Sequence, residues 1–380
     1  MEKRGYKYRF YPTPDQAHTL SRTFGCCRYV WNWALRMRMD AWMNEQRSIG
    51  YGTTSSELTK LKSQPETSFL NEVSSVPLQQ SLRNLDRAYQ NFFEHRAEYP
   101  KFKSKHGHQS STYASTAFSW KDGKLTLAKM SGSLNIRWSR TFKGKPSTIN
   151  VSKDPAGRYF VSFLVEEDIK ILPISKNMIG IDLGLLDTVS TSAGSKFGNP
   201  HFFRKDEKRL AKAERRKSRK KKGSRNRTKA RIKVARIHAR IADRRNDFLH
   251  KLSTRLIREN QTICAESLAV KNMLQNPHLA KAISDVGWGT LMIHLDYKAR
   301  WYGRTFTRID RFYPSSKRCS GCGHVVESLP LDVRSWICPE CKTTHDRDIN
   351  AAKNILAAGL AVSACGEVVR PRKAKLFQGT

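Results

Sequence analysis

Two cysteine pairs, Cys319-Ser-Gly-Cys322 and Cys338-Pro-Glu-Cys341, constrain this chain more than any other feature. Each pair carries Gly or Pro inside or beside a tight knuckle, and 15 residues separate the two. Two such knuckles can present four thiolates to one tetrahedral Zn²⁺, which would hold together a segment too small to fold alone. A redox dithiol needs one pair, so two matched pairs favour structural zinc at Cys319, Cys322, Cys338 and Cys341. His345 follows four residues after Cys341 and is a competing ligand on spacing; a core or surface role is the simpler expectation. The remaining cysteines, Cys26, Cys27, Cys264 and Cys365, are scattered and are expected to be free thiols of a reducing compartment.

Charge is the second constraint. Of 380 residues, 70 are Lys or Arg and 33 Asp or Glu, a formal net charge of +37. Self-repulsion on that scale implies a polyanionic partner. The excess is concentrated: residues 201–250 hold 21 basic and 5 acidic side chains. Lys217, Arg219, Lys220, Lys221, Lys222, Arg225 and Arg227 flank Gly223-Ser224, a bend expected between two helices. Like charges at i,i+4 disfavour a helix unless phosphate screens them, so this stretch is expected to contact nucleic acid. No apolar stretch approaches the ~18–20 residues of a membrane span, and no secretory signal follows the N-terminus. The expectation is a cytoplasmic, nucleoid-associated protein without a membrane partner.

Residues 6–11 alternate as a strand, and Thr13-Pro14-Asp15-Gln16 predicts a helix start with a capping box. Helical runs follow, one with Ala17, Leu20 and Phe24, a second with Val30, Trp31, Ala34 and Leu35, another with Leu78, Leu82, Leu85, Tyr89 and Phe92. From about 110 to 170 short strands take over, at 124–127, 134–138 and 159–165, the last after the turn Asp154-Pro-Ala-Gly157. The pattern suggests a small barrel or sheet that the opening strand could join. A third unit has strands at 178–183, 188–192, 196–197, 262–268 and 305–309, a charged helical stretch before the fourth, and a helix with Trp288, Leu291, Leu295 and Ala299 before the last. This is the order of an RNase H-like α/β unit, interrupted by the cysteine module before a final helix at 349–358. Aromatic residues interleave with basic ones at 6–11 and 99–105, where base stacking and core packing are equally open readings.

Three carboxylates stand in telling places. Asp182 ends one apolar strand, Glu266 ends another, and Asp348 opens the last helix. A carboxylate at a central strand end is costly unless a cation or donor neutralises it. Several that converge would hold hard divalent cations; two Mg²⁺ ions about 3.5–4 Å apart can activate water and stabilise a leaving oxygen. Asp346 rivals Asp348 on pattern alone, and Asp187 looks like a turn residue.

Several of these segments coincide with the motifs of one family. Tyr11-Pro-Thr-Pro-Asp-Gln16, Phe24-Gly-Cys-Cys-Arg-Tyr-Val-Trp-Asn32, Gly180-Ile-Asp-Leu-Gly184, Glu266-Ser-Leu-Ala-Val-Lys-Asn-Met273, Ser315-Ser-Lys-Arg-Cys-Ser-Gly-Cys-Gly323, Arg334-Ser-Trp-Ile-Cys-Pro-Glu-Cys341 and His345-Asp-Arg-Asp-Ile-Asn-Ala-Ala-Lys-Asn-Ile355 all resemble the TnpB (OrfB) family of transposon-encoded RNA-guided DNA endonucleases, related to small type V CRISPR effectors. The resemblance runs from about residue 6 to 366. It implies an α/β multi-domain chain: a β-barrel wedge domain (1–12 and 110–172), a helical recognition insertion (13–109), a RuvC-like nuclease domain (173–312 and 345–362) with an inserted zinc ribbon (313–344), and a flexible tail (363–380). It implies a metal triad of Asp182, Glu266 and Asp348, which selects Asp348 over Asp346. It also implies two Mg²⁺ ions, structural Zn²⁺, a guide RNA from the transposon end, and double-stranded DNA cleaved beside a short motif, by a monomer within the ribonucleoprotein. The alternatives are a nuclease-inactive RNA-guided repressor and a transposase accessory protein. A self-sufficient single-strand transposase would need a His-hydrophobic-His motif, and His106-Gly-His108 lacks the hydrophobic centre.

Overall fold

The structure is a computed structural model and describes residues 2–330 and 332–364. It divides into two compact units, one of residues 1–168 with 223–236, the other of residues 169–222 with 237–380.

In the first unit, strand β1 (Glu2–Tyr11) is followed by helices α1 (Pro14–Glu45), α2 (Tyr51–Ser63) and α3 (Ser75–Phe93), then strands β2 (Gln109–Ala114), β3 (Phe118–Lys121), β4 (Lys124–Leu127), β5 (Asn135–Arg137), β6 (Thr148–Lys153) and β7 (Tyr159–Glu167). Five of them form an antiparallel sheet in the order β2-β6-β7-β1-β5. The opening strand therefore does join the later ones, between β7 and β5. Strand alternation decides which side chains it buries. Tyr6, Tyr8 and Phe10 are buried with Val161, Phe163 and Ile149, whereas Lys7 and Arg9 face outward. The aromatic residues at 6–10 are thus core, not exposed stacking groups; Tyr11 alone of that run is exposed.

Helix α1 starts at the expected capping box: Thr13 Oγ1 accepts from the Gln16 amide, and Gln16 Oε1 accepts from the Thr13 amide. The two helical runs predicted after it are one continuous helix of 32 residues. Gly25 does not break it, because Cys26, Cys27, Val30, Ala34 and Leu35 on the far side pack with Leu78, Leu82 and Leu85 of α3. A mid-helix Gly costs about 1 kcal/mol, less than burying one large apolar side chain contributes.

The second unit begins with β8 (Met178–Asp182), β9 (Asp187–Thr191) and β10 (Lys196–Gly198), an antiparallel run, followed by α4 (Phe202–Ser218) and α5 (Arg225–Glu259), whose first turns belong to the first unit. Gly223, at φ +83°, makes the bend between those helices. Then come β11 (Thr262–Glu266), α6 (Val270–Met273), α7 (Ala280–Val286), α8 (Trp288–Tyr302) and β12 (Thr305–Ile309). Strands β8, β11 and β12 are parallel, giving a mixed sheet of order β10-β9-β8-β11-β12. The short pair β13 (Ser335–Ile337) and β14 (Thr344–Asp346) precedes the last helix, α9 (Arg347–Ala364).

Parallel strands need cover on both faces. On one face Ile179, Ile181, Ile263 and Ala265 pack under Leu249, Leu252 and Leu256 of α5 and Trp288, Leu291 and Leu295 of α8. Lys298 of α8, buried, ties those helices together by donating to Ser253 Oγ, Thr254 Oγ1 and the His250 carbonyl, and burial pulls its pKa down to about 8. On the other face, Gly180 and Cys264 meet α9. A Cβ at Gly180 would overlap the Ala352 carbonyl oxygen and lie 2.7 Å from the Leu356 amide nitrogen; one at Gly359 would overlap Cys264. Helix α9 therefore lies on the sheet at backbone distance. It starts two residues earlier and ends later than predicted, so Ser363 and Ala364, assigned to the tail from sequence, are helical. Cys365 and the basic segment 370–375 lie outside the described residues.

Candidate nuclease centre and cysteine cluster

The sheet topology gathers the strand-end carboxylates. Ile181 is in register with Ala265, so Asp182 and Glu266, the next residues, end adjacent parallel strands side by side. Alternation puts Asp182 on the face of Gly180, and Glu266 on the face of Cys264. That is the face covered by α9, whose first turn carries Asp348. Gly180 lies against Ala352 and Leu356, so the helix descends from the carboxyl ends of the strands with Asp348 at the top.

The electrostatics record this convergence. Burial, then the charges of Glu266 and Asp348, push Asp182 up to about 7. Burial also raises Glu266. Asp182 thus feels the charges of Glu266 and Asp348, only partly offset by Arg347, an arrangement in which a carboxylate set can take a divalent cation. Two bases lean on Asp348: Lys196 Nζ of β10 at 3.9 Å from Oδ2, and Arg334 at 3.7 Å from Oδ1. Sequence reasoning singles out neither; both reach the carboxylate only through tertiary contacts, and no spacing rule marks them.

Asp346 does something different from Asp348. Its Oδ1 accepts from the amides of Asp348 and Ile349, capping α9, and its Oδ2 lies 2.8 Å from Lys196 Nζ. Burial opposes its charge, but the Lys196 hydrogen bond and the Ile349 amide outweigh that and hold its pKa below the usual carboxylate range.

The four predicted cysteines meet. Their Sγ atoms all lie within 4.8 Å of one another, a tightness no carboxylate group reaches among the described residues. Cys319 Sγ is 3.6 Å from Cys341 Sγ, and Cys322 Sγ is 3.6 Å from Cys338 Sγ. Four sulfurs about 2.3 Å from a zinc ion form a tetrahedron with edges of about 3.8 Å, so the donor set fits the ion. The two knuckles are built alike. The amides of Gly323 and Lys342 donate to the carbonyls of Cys319 and Cys338, each at 3.0 Å, and both residues have positive φ, +84° and +57°. His345 Nε2 lies 3.0 Å from Cys319 Sγ with its ring 4.9 Å from Trp336, buried at the rim of the set as a partner of one sulfur.

The basic residues occupy the α4–α5 turn. Arg219, Lys220, Lys221, Lys222 and Arg225 are exposed; Lys217 pairs with Glu214, and Arg227 is half-buried. Among the described residues no helix is long and apolar enough to cross a membrane.

Comparison with known proteins identifies the family of the chain. The profile "OrfB_IS605: Probable transposase" matches residues 162–277, and "Cas12f1-like, TNB domain" matches 288–355. A "Helix-turn-helix domain" profile matches 1–47, which here hold β1 and the single helix α1. A "Putative RNA-guided DNA endonuclease" of Streptomyces pristinaespiralis is 55% identical over 374 residues, covering 98% of this chain and 93% of that one. "Putative RNA-guided DNA endonuclease InsQ" of Escherichia coli K12 is 33% identical, covering 96% and 94%. Among solved structures, the Cas12f1-sgRNA-target DNA complex shares the fold at a TM-score of 0.53 and 14% identity, over 90% of this chain and 82% of that one. By its near-complete alignment with these relatives, the chain belongs to the TnpB (OrfB) family of transposon-associated RNA-guided DNA endonucleases.

Proposed function

We propose that this chain is an RNA-guided, Mg²⁺-dependent endonuclease of double-stranded DNA. The convergence of Asp182, Glu266 and Asp348 at the carboxyl end of one mixed sheet carries the reading. Under it, these three hold the catalytic cations, which supply an activated water and charge stabilisation at the scissile phosphate. Three antiparallel strands followed by two parallel ones support a RuvC-like assignment for 173–312 and 345–362. The five-stranded sheet and the α1–α3 block support wedge (1–12, 110–172) and recognition (13–109) roles in the first unit. The cysteine cluster acts as a structural zinc ribbon (313–344) that presents the target strand.

What the chain's own groups contribute follows from position. Asp182 and Glu266 are fixed by strand register, Asp348 by the seating of α9 on Gly180 and Cys264. Lys196 and Arg334 lie against Asp348 and would lend positive charge beside a bound phosphate. Guide RNA from the transposon end pairs with one DNA strand beside a short adjacent motif, while protein contacts read backbone shape and that motif. The exposed basic turn, Arg219 to Arg225, provides phosphate contacts. The complex acts as a monomer at the nucleoid and serves retention of the transposon.

The test is the protein purified with RNA co-expressed from the DNA flanking its gene. A single defined noncoding RNA and Mg²⁺-dependent cutting of a matching target are expected, with Asp182→Ala losing cutting and keeping target binding. Heterogeneous RNA, or cutting that survives Asp182→Ala, overturns the reading.

A further inference from the structure

We infer that Phe312, with Arg311, forms a stacking platform for an unpaired base of the DNA strand being cut, one or two nucleotides from the scissile phosphate. The inference rests on the reading of Asp182, Glu266 and Asp348 as the cleavage centre.

Phe312 is 80% exposed, on a chain segment that is otherwise well anchored. Ile309, the last residue of β12, is in register with Glu266. Phe312 comes three residues later, so its Cα is within about 10 Å of Ile309 even at full extension. The chain turns there, the Tyr313 amide donating to the Asp310 carbonyl, so the true separation is smaller. Neighbouring nucleotides of a strand with its phosphate at the carboxylates lie on the same length scale.

The segment is held at both ends. Asp310 Oδ1 accepts from the Phe312 amide at 2.8 Å. Tyr313 turns inward and packs with Ile309, Ile355 and Cys264 beneath α9. Asn354 Nδ2 of α9 donates to the Ser315 carbonyl at 2.8 Å. An aromatic ring held in water by a fixed backbone, with the next side chain packed inward, is preorganised for a flat apolar partner. The Arg311 guanidinium lies 4.8 Å from the Phe312 ring centroid. A ring with a cation beside it matches a nucleotide, whose base stacks and whose phosphate is anionic. The occupant is therefore an unpaired base of the substrate strand: a paired base has its faces covered by its neighbours in the stack.

The experiment uses the wild-type ribonucleoprotein with its co-expressed RNA and target duplexes carrying one abasic nucleotide, moved stepwise past the cut. Wild type should slow at one position, one or two nucleotides from the scissile phosphate. Phe312→Ala, which removes an exposed side chain and leaves the fold intact, should cut the unmodified target about 10-fold more slowly with unchanged target binding. It should also lose the abasic position effect, and Phe312→Trp should restore both. Wild-type rates in Phe312→Ala, or an abasic penalty that persists in it, overturn the platform alone. A wild-type complex that cuts no target overturns the nuclease reading and the platform with it.

Discussion

Gly180 of β8 meets the backbone of Ala352 in α9 so closely that a single added carbon at residue 180 would overlap the Ala352 carbonyl oxygen. The obstruction is helix backbone, which cannot swing aside as a side chain would. Gly180→Ala should therefore lift the start of α9 and draw Asp348 away from Asp182. The expected cost is about 3 kcal/mol or more, from overpacking against main chain. Denaturant melts together with cleavage assays check it. Gly5→Ala, where an added Cβ has nothing within 4 Å, is the matched control.

Asp182 gives the metal-free protein a pH dependence of definite sign. Its folded pKa, about 7, is above the ordinary 3.8 because of burial and then of Glu266 and Asp348. A raised acid contributes its stability below the unfolded pKa and loses it as pH rises through the folded one. Without Mg²⁺, stability should fall between about pH 4 and pH 7 from this group, and added Mg²⁺ should recover part of the loss at pH 8. Asp182→Asn should flatten that segment of the Tm-against-pH curve while lowering cleavage on the order of 10³-fold or more.

His345 touches one sulfur of the cysteine cluster without completing it. His345→Ala should leave one zinc per chain bound but weaken its retention about 10- to 100-fold, the usual loss when an outer partner of a metal ligand is removed. Cys338→Ser should abolish stoichiometric zinc. Competition with a chromogenic chelator, plus metal analysis, separates the two.

Neutralising Lys220, Lys221 and Lys222 to Gln should weaken RNA binding and reduce the slope of log affinity against log salt by about 1 for each phosphate no longer neutralised. Guide-independent binding of a nonspecific RNA should fall in parallel. An unchanged slope would mean these side chains face solvent only.

The cysteine spacing is legible in the sequence because four thiolates at matched CxxC spacing have few other uses, and the four sulfurs do meet. The bend at Gly223 is legible because the helices on either side need one residue with positive φ. Around Gly25 local propensity argues for a break in α1, and packing on α3 overrides it. Base stacking at 6–10 is open on sequence and loses to strand alternation, which buries Tyr6, Tyr8 and Phe10. Pattern does not separate Asp346 from Asp348, since two residues at a helix start differ only in what the first turn demands of each. The fold gives the cap to Asp346 and the shared field with Asp182 to Asp348. Lys196 and Arg334 are beyond the reach of sequence reasoning, being ordinary basic residues until the sheet edge and the cysteine module bring them to Asp348.

Strand β14 ends at Asp346 and helix α9 begins at Arg347, with no residue between them to flex. The knuckle module and the acid it leads into are joined without a linker, so the seating of one constrains the other. Stripping the ion from the far end should dull hydrolysis without altering a single carboxylate.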